Sequence, residues 1–179
     1  MKKSILSLHP FLMVILVVFA FACGDDDDSN GNNPPTTEEM LVGTWTTSAS
    51  EITTSVGGQL LTDYLVNDLG WTQEDAELYS AAYDAQLEAA VDGTLTFNAD
   101  NTYNLVFDQV PENGTWSLSA DETTLTLNDG TEEIDVTLNS VTSNTLDVTI
   151  EDTLTDDLDD NPETPDEEIE ASVDITLTK

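Results

Sequence analysis

The sequence predicts a mainly β protein, an antiparallel up-and-down barrel of eight or nine strands carrying a two-helix insertion. Three observations predict it. From residue 93 onward, short segments alternate large apolar residues with Thr, Asp and Glu, so that one face of each is buried and the other wet. Turn-forming dipeptides separate consecutive segments, which makes neighbours antiparallel. Between residues 59 and 91 the apolar period changes from two to three and four, the spacing of a helix face. A sheet of eight or nine such strands closes on itself, because an open one would expose a long unpaired edge.

In chain order, the strands are predicted over residues 41–47 and 51–55, then 93–98, 102–108, 114–119, 123–128, 132–139, 144–151 and 169–178. Alternation is clearest in Leu125 and Leu127, in Ile134, Val136 and Leu138, and in Leu146, Val148 and Ile150. The last strand continues it through Ile169, Ala171, Val173, Ile175 and Leu177. Asp100-Asn101, Asn113-Gly114, Asp129-Gly130 and Ser143-Asn144 are the expected turns. The insertion, 59–91, reads as helices over 59–67 and 72–91, the second opening on Thr72-Gln73-Glu74-Asp75, close to a capping box. Its stripe of Ala76, Tyr79, Tyr83, Leu87 and Ala90 must lie on apolar surface, and the sheet is the expected partner. Packing against the barrel is one reading of that helix. A lid is the other, with Tyr79, Tyr83 and Leu87 facing a ligand and the joints at Gly57-Gly58 and Leu69-Gly70 as hinges.

The N-terminus has the form of an export signal. Lys2 and Lys3 precede an apolar run over residues 11–22 that ends in Ala20-Phe21-Ala22. Twelve residues span about 18 Å as a helix, short of a hydrocarbon core of about 30 Å. Cleavage before Cys23 satisfies the small-x-small rule of ordinary secretion, and Ala22-Cys23 also resembles the end of a bacterial lipobox. Cys23 is the single cysteine of the chain, so no intrachain disulfide forms. Acylation would give it a use, and two acyl chains on one residue suffice for stable anchoring. The following Gly24-Asp25-Asp26-Asp27-Asp28-Ser29 is similar to the acidic tag of surface-exposed Bacteroidota lipoproteins. That resemblance implies a lipid anchor at Cys23 in the outer membrane, facing the cell exterior. Residues 23–39, polar and without large apolar side chains, read as a tether reaching roughly 20 Å. The barrel domain is expected over residues 40–179.

Removal of residues 1–22 leaves thirty-seven carboxylates against one cation, Lys179, a formal charge of −36, with no arginine and no histidine. Several functions fall away. Nucleic-acid binding needs cations to displace counterions from phosphates. Ser-His-Asp and Cys-His catalysis needs an imidazole. Zinc sites favour His or Cys. Oxygen chemistry remains, including coordination of hard cations such as Ca²⁺. A carboxylate pair would serve glycoside hydrolysis, but thirty-seven carboxylates supply such pairs by chance, and no motif marks an enzyme.

Gly43-Thr44-Trp45 recurs as Gly114-Thr115-Trp116, and between them runs Gly93-Thr94-Leu95-Thr96-Phe97-Asn98-Ala99-Asp100-Asn101-Thr102-Tyr103. This order resembles the lipocalin-like domains of Bacteroidota lipoproteins over roughly residues 40–178. The resemblance implies a barrel that binds a small apolar ligand or nutrient fragment without catalysis. In lipocalins the first of these tryptophans pairs with an arginine from the end of the barrel, and this chain has none. For Trp45 and Trp116, core packing is the expected role.

Residues 156–168 form the densest polar stretch after the tether. Counted from Asp157, Asp159 and Asn161 occupy the third and fifth places and Glu168 the twelfth, the ligand positions of a twelve-residue calcium loop. Pro162 replaces the turn glycine and the flanks are strands, which excludes an EF-hand. Calcium held by Asp157, Asp159, Asn161 and Glu168 in another geometry stays open beside a plain solvated loop. The alternative to a ligand-binding barrel is therefore a calcium-stabilised structural or adhesion module with a packed interior.

Overall fold

The structure is a computed structural model, and it describes residues 34–159 and 165–179. Nine strands form one antiparallel sheet: β1 (Gly43–Val56), β2 (Gln59–Leu60), β3 (Gly93–Phe97), β4 (Thr102–Phe107), β5 (Val110–Leu118), β6 (Thr124–Asn128), β7 (Glu133–Val141), β8 (Thr145–Asp156) and β9 (Glu167–Thr178). From β3 to β9 neighbours in sequence are neighbours in the sheet, and β1 pairs with both β3 and β9 to close eight strands into a barrel; β2 is an appendage on β1. Three helices accompany it: α1 (Thr37–Leu41), α2 (Leu61–Asn67) and α3 (Gln73–Ala90). The expected fold class is the observed one.

The barrel is closed only in its lower half. There Trp45 of β1 faces Leu95 of β3, and Leu138 of β7 faces Val148 of β8. Above Thr46 the ladder between β1 and β3 ends, although β1 runs on to Val56. Above Thr149 the ladder between β7 and β8 ends, although β8 runs on to Asp156. The upper half of β1, β9 and β8 thus rises above the barrel as a three-stranded extension.

Two apolar clusters follow from this shape. The barrel cluster contains Leu41, Trp45, Leu95, Phe97, Tyr103, Trp116, Leu125 and Leu146 with the inward residues of β7, β8 and β9. Phe97 and Trp116 meet edge to face, with ring centroids 5.4 Å apart. The buried indoles keep their hydrogen bonds: Trp45 Nε1 donates to the Leu41 carbonyl at 2.7 Å, and Trp116 Nε1 to that of Asn98 at 3.2 Å. Both tryptophans are core residues, as their sequence context implies. The second cluster joins Leu61, Leu65 and Ala76 of the helices to Leu158 and Ile169, with Val56 and Leu154 at its edge. The insertion therefore packs on the inner face of the extension.

Two glycines make room for aromatic rings. Opposite Phe107, a Cβ on Gly93 would lie 1.9 Å from the Val106 carbonyl oxygen and 2.8 Å from the Phe107 ring. Opposite Tyr103, a Cβ on Gly114 would lie 2.1 Å from the Asn128 oxygen and 2.8 Å from the Tyr103 ring. Each glycine thus lets a ring lie across the backbone of the facing strand.

Some boundaries differ from expectation. Residues 41–47 and 51–55 belong to one strand, β1, whose pairing with β9 shifts at a bulge between Thr47 and Ala49. Asn113-Gly114 is not a turn but the middle of β5; the hairpin turns instead at Asp108-Gln109, which carry positive φ without a glycine. The lower end of the domain begins before residue 40. Thr36 caps α1 and Glu39 reaches back to the Thr36 amide, a full capping box that Thr36-Thr37-Glu38-Glu39 spells out. Helix α1 closes the bottom of the barrel, where Leu41 is fully buried.

Candidate functional site

The mouth of the barrel lies where the two ladders part. One wall carries Ile52, Val173 and Ile150 in one register row across β1, β9 and β8. The wall formed by β3 to β7 carries Leu105 opposite Leu95 and Glu112, and Phe107 opposite Val110. Ile52, Leu105 and Ile150 are partly buried against the barrel cluster. At the rim, Val110 is 52% exposed and Ile134 44% exposed, although both occupy inward positions of their strands. Apolar side chains that face the lumen and stay wet distinguish this end from the bottom, where the inward residues are covered.

Carboxylates border the mouth. Glu112 is the one carboxylate at an inward register position among the described residues of β3 to β7. Burial, and then the charge of Asp129, holds its carboxyl above the usual range. Asp129 itself is held below that range by the hydroxyl and amide of Thr131 and the amide of Glu132. On the helix side, Asp84 accepts from the Thr54 hydroxyl at 3.2 Å and is raised by burial. Asp152 occupies an inward position of β8 and, with Asp156, adds to the burial that raises the Tyr83 phenol.

The residues read as a lid are divided between neighbours. Tyr79 donates to Asp156 at 2.7 Å, meets Trp71 edge to face at 5.4 Å and stacks on Tyr83 at 6.1 Å. Tyr79 and Tyr83 both belong to the second cluster, and Leu87 is half-buried further along α3. Of the calcium candidates, Asp157 and Asp159 come together, joined by Glu167, with carboxylate oxygens within 4.8 Å of one another. Glu167 also accepts from the Leu158 amide at 2.9 Å. Glu168, across from Thr155, turns to the opposite face because successive strand residues alternate. Asn161 and Cys23 lie outside the described residues.

Two residues that sequence reasoning missed stand out. Lys179 lies across the bottom of the barrel, its Nζ 4.2 Å from the Trp45 ring centroid. It donates to the carbonyls of Met40 at 2.6 Å and Val42 at 2.8 Å, and its stem covers Gly43. The missing arginine is thus replaced by a lysine, and the signal was available: Lys179 is the only cation after residue 3 and ends the last strand. Glu112 was overlooked because the Asn113-Gly114 pair beside it was read as a turn.

An eight-stranded up-and-down barrel with a helix across its bottom, a cation over the first-strand tryptophan and a divided upper rim belongs among the closed antiparallel barrels. The lipocalin-like domain family matches residues 41–148, more than half of the chain, and the protein belongs to it. Members of that family are usually non-catalytic binding proteins. No curated protein matches the sequence.

Proposed function

We propose that this protein is a non-catalytic binding protein whose barrel mouth takes a small apolar ligand or nutrient fragment. The observation that carries the reading is the set of lumen-facing apolar residues, Val110 and Ile134 above all, left in water where the ladders diverge. Ligand-binding sites are lined mainly by apolar side chains with few polar groups. Tyr83 and Leu87 of α3 would border the ligand, and Tyr79 would brace the helix behind them. Displacement of N-phenylnaphthylamine fluorescence tests it. Saturable binding that Ile134→Asp abolishes supports the reading, and no binding by the folded protein refutes it.

The same proposal places the domain on a lipid anchor at Cys23, in the outer membrane with the barrel facing outward. What supports this is the apolar run ending in Ala22-Cys23 and the acidic tag behind it. Globomycin treatment of expressing cells is the check: processing at Cys23 that continues unchanged removes the anchor.

The carboxylates of Asp157, Asp159 and Glu167 favour a second role, a calcium site that stiffens the β8–β9 connection. Mutual repulsion of three carboxylates would be relieved by an ion that takes oxygen ligands at about 2.3–2.6 Å. Calcium should then raise the melting temperature, and Asp157→Asn with Glu167→Gln should remove the rise. A melting temperature indifferent to calcium ends this reading.

A further inference from the structure

Strand β1 keeps an open edge that the barrel does not use. Its ladder with β3 ends at Thr46, β2 meets it only at Ser55 and Val56, and no strand lies beside the stretch between them. The Lys179 amide donates to the Asn144 carbonyl, so odd-numbered residues of β9 bond β8 and even-numbered ones bond β1. In that register Ala49, Glu51 and Thr53 direct their main-chain groups to β9, and those of Ser50 and Ile52 point the other way. Among the described residues no main-chain partner meets them. Helix α3 is pinned to the strand at two places, where the Thr54 hydroxyl donates to Asp84 at 3.2 Å and the Thr47 hydroxyl to the Val91 carbonyl at 2.8 Å. A cleft of about 410 Å³ lies between them, with residues 47–50 on one side and Ala85, Glu88, Ala89 and Asp92 on the other. It occupies the place a longer β3 would take, since β3 begins only at Gly93. The other open edge, that of β8 above Thr149, differs: there the Asp152 carboxylate accepts from the Thr153 amide at 2.8 Å, so the chain covers its own donor.

We infer that the cleft between β1 and α3 receives an extended segment of a partner protein, which adds to β1 as a strand and carries lysine or arginine at alternate positions. Strand addition supplies Ser50 and Ile52 with the main-chain partners they lack, and short side chains such as Ser48, Ala49, Ala85 and Ala89 let another backbone come close. Charge decides the occupant. Glu88 and Asp92 line the cleft, and Glu51 is exposed beside Ser50. After residue 3 the only Lys or Arg in the chain is Lys179, which is held at the bottom of the barrel. A second copy of this chain, or its own acidic segment before residue 40, brings like charges to the cleft, whereas a basic strand meets opposite ones. This surface is separate from the apolar ligand proposed for the mouth and stands without it.

The experiment is fluorescence anisotropy of a fluorescein-labelled Lys-Val-Lys-Val-Lys-Val amide titrated with the full mature chain. It is run at 0.15 M salt, where attraction is screened beyond about 8 Å. Two further peptides of the same charge carry N-methyl groups on either the three Lys or the three Val amides. In an added strand one of these sets faces β1 and the other faces away. One methylated peptide should therefore bind about tenfold or more weaker than the other, the worth of two main-chain hydrogen bonds. Ala89→Trp, which fills the cleft from an exposed helix position, should abolish binding, and Ser50→Pro, which removes an edge donor, should weaken it. Glu77→Gln, on α3 outside the cleft, removes one charge and should leave binding intact. Equal affinity of the two methylated peptides, or binding that survives Ala89→Trp, overturns the inference and leaves only attraction by the overall charge. Absence of saturable binding by the parent peptide overturns it as well.

Discussion

Replacing Lys179 by Met isolates the contribution of the cation at the bottom of the barrel. Met keeps most of the apolar stem that covers Gly43 and removes the ammonium. Three interactions disappear: two hydrogen bonds to the Met40 and Val42 carbonyls, and the contact 4.2 Å above Trp45. Hydrogen bonds from a charged donor are worth about 1.5–3 kcal/mol each, and an exposed cation–π contact about 0.5–1 kcal/mol. The lysine is exposed, so water takes over much of the hydration of both carbonyls. The net loss is therefore about 2 kcal/mol, well short of the sum. For a domain of this size that is a fall in melting temperature of about 4–8 °C. Urea unfolding followed by tryptophan fluorescence reads it, with the midpoint lowered and the slope unchanged. Lys179→Arg, which restores charge and donors, should recover most of the loss. A Lys179→Met midpoint equal to that of the wild type would refute the argument, because the carbonyls joining α1 to β1 would then be indifferent to their donor.

Other consequences follow from the packing and charge. Gly93→Ala and Gly114→Ala each force a Cβ to within 1.9 Å and 2.1 Å of a carbonyl oxygen, so each should cost about 3 kcal/mol or more, seen as lost soluble yield or an early urea midpoint. The Glu112 carboxyl has a folded pKa above its unfolded value, so the stability it lends is present below the unfolded pKa and is lost as pH rises through the folded pKa. Glu112→Gln should accordingly melt higher relative to wild type at pH 7 than at pH 4; a difference independent of pH would contradict the environment assigned to this residue. Raising monovalent salt from 0.01 to 0.15 M shortens the screening length from about 30 to 8 Å and should raise the melting temperature of a chain this acidic.

Much of the barrel was legible in the sequence, because period-two alternation is a direct record of which strand faces are buried. Leu125, Leu127, Val136, Leu138, Leu146 and Val148 all lie where that alternation puts them. The insertion was legible for the same reason, through its change of period and the Thr72 cap, whose hydroxyl accepts from the Asp75 amide. Turn chemistry misled at Asn113-Gly114, where glycine serves a close approach by Tyr103 rather than a reversal of the chain. The divided upper rim was not legible, because the apolar alternation of β8 breaks at Asp152, so the sequence pattern ends the strand near residue 151 although it runs on to Asp156 beside β9 alone. For the same reason the stripe of α3 could be assigned to the sheet but not to the extension above the barrel. Lys179 and Glu112 acquire their roles only through contacts between residues far apart in sequence. Single charged residues leave no periodic trace of such contacts.

The binding site is tested most directly by methyl NMR of Ile-, Leu- and Val-labelled protein titrated with N-phenylnaphthylamine. Saturable shifts confined to Ile52, Leu87, Leu105, Val110, Ile134 and Ile150, with Leu61 and Leu65 of the second cluster unmoved, are the predicted result. Absence of saturable shifts, or shifts centred on the helical cluster while the mouth stays silent, would contradict it.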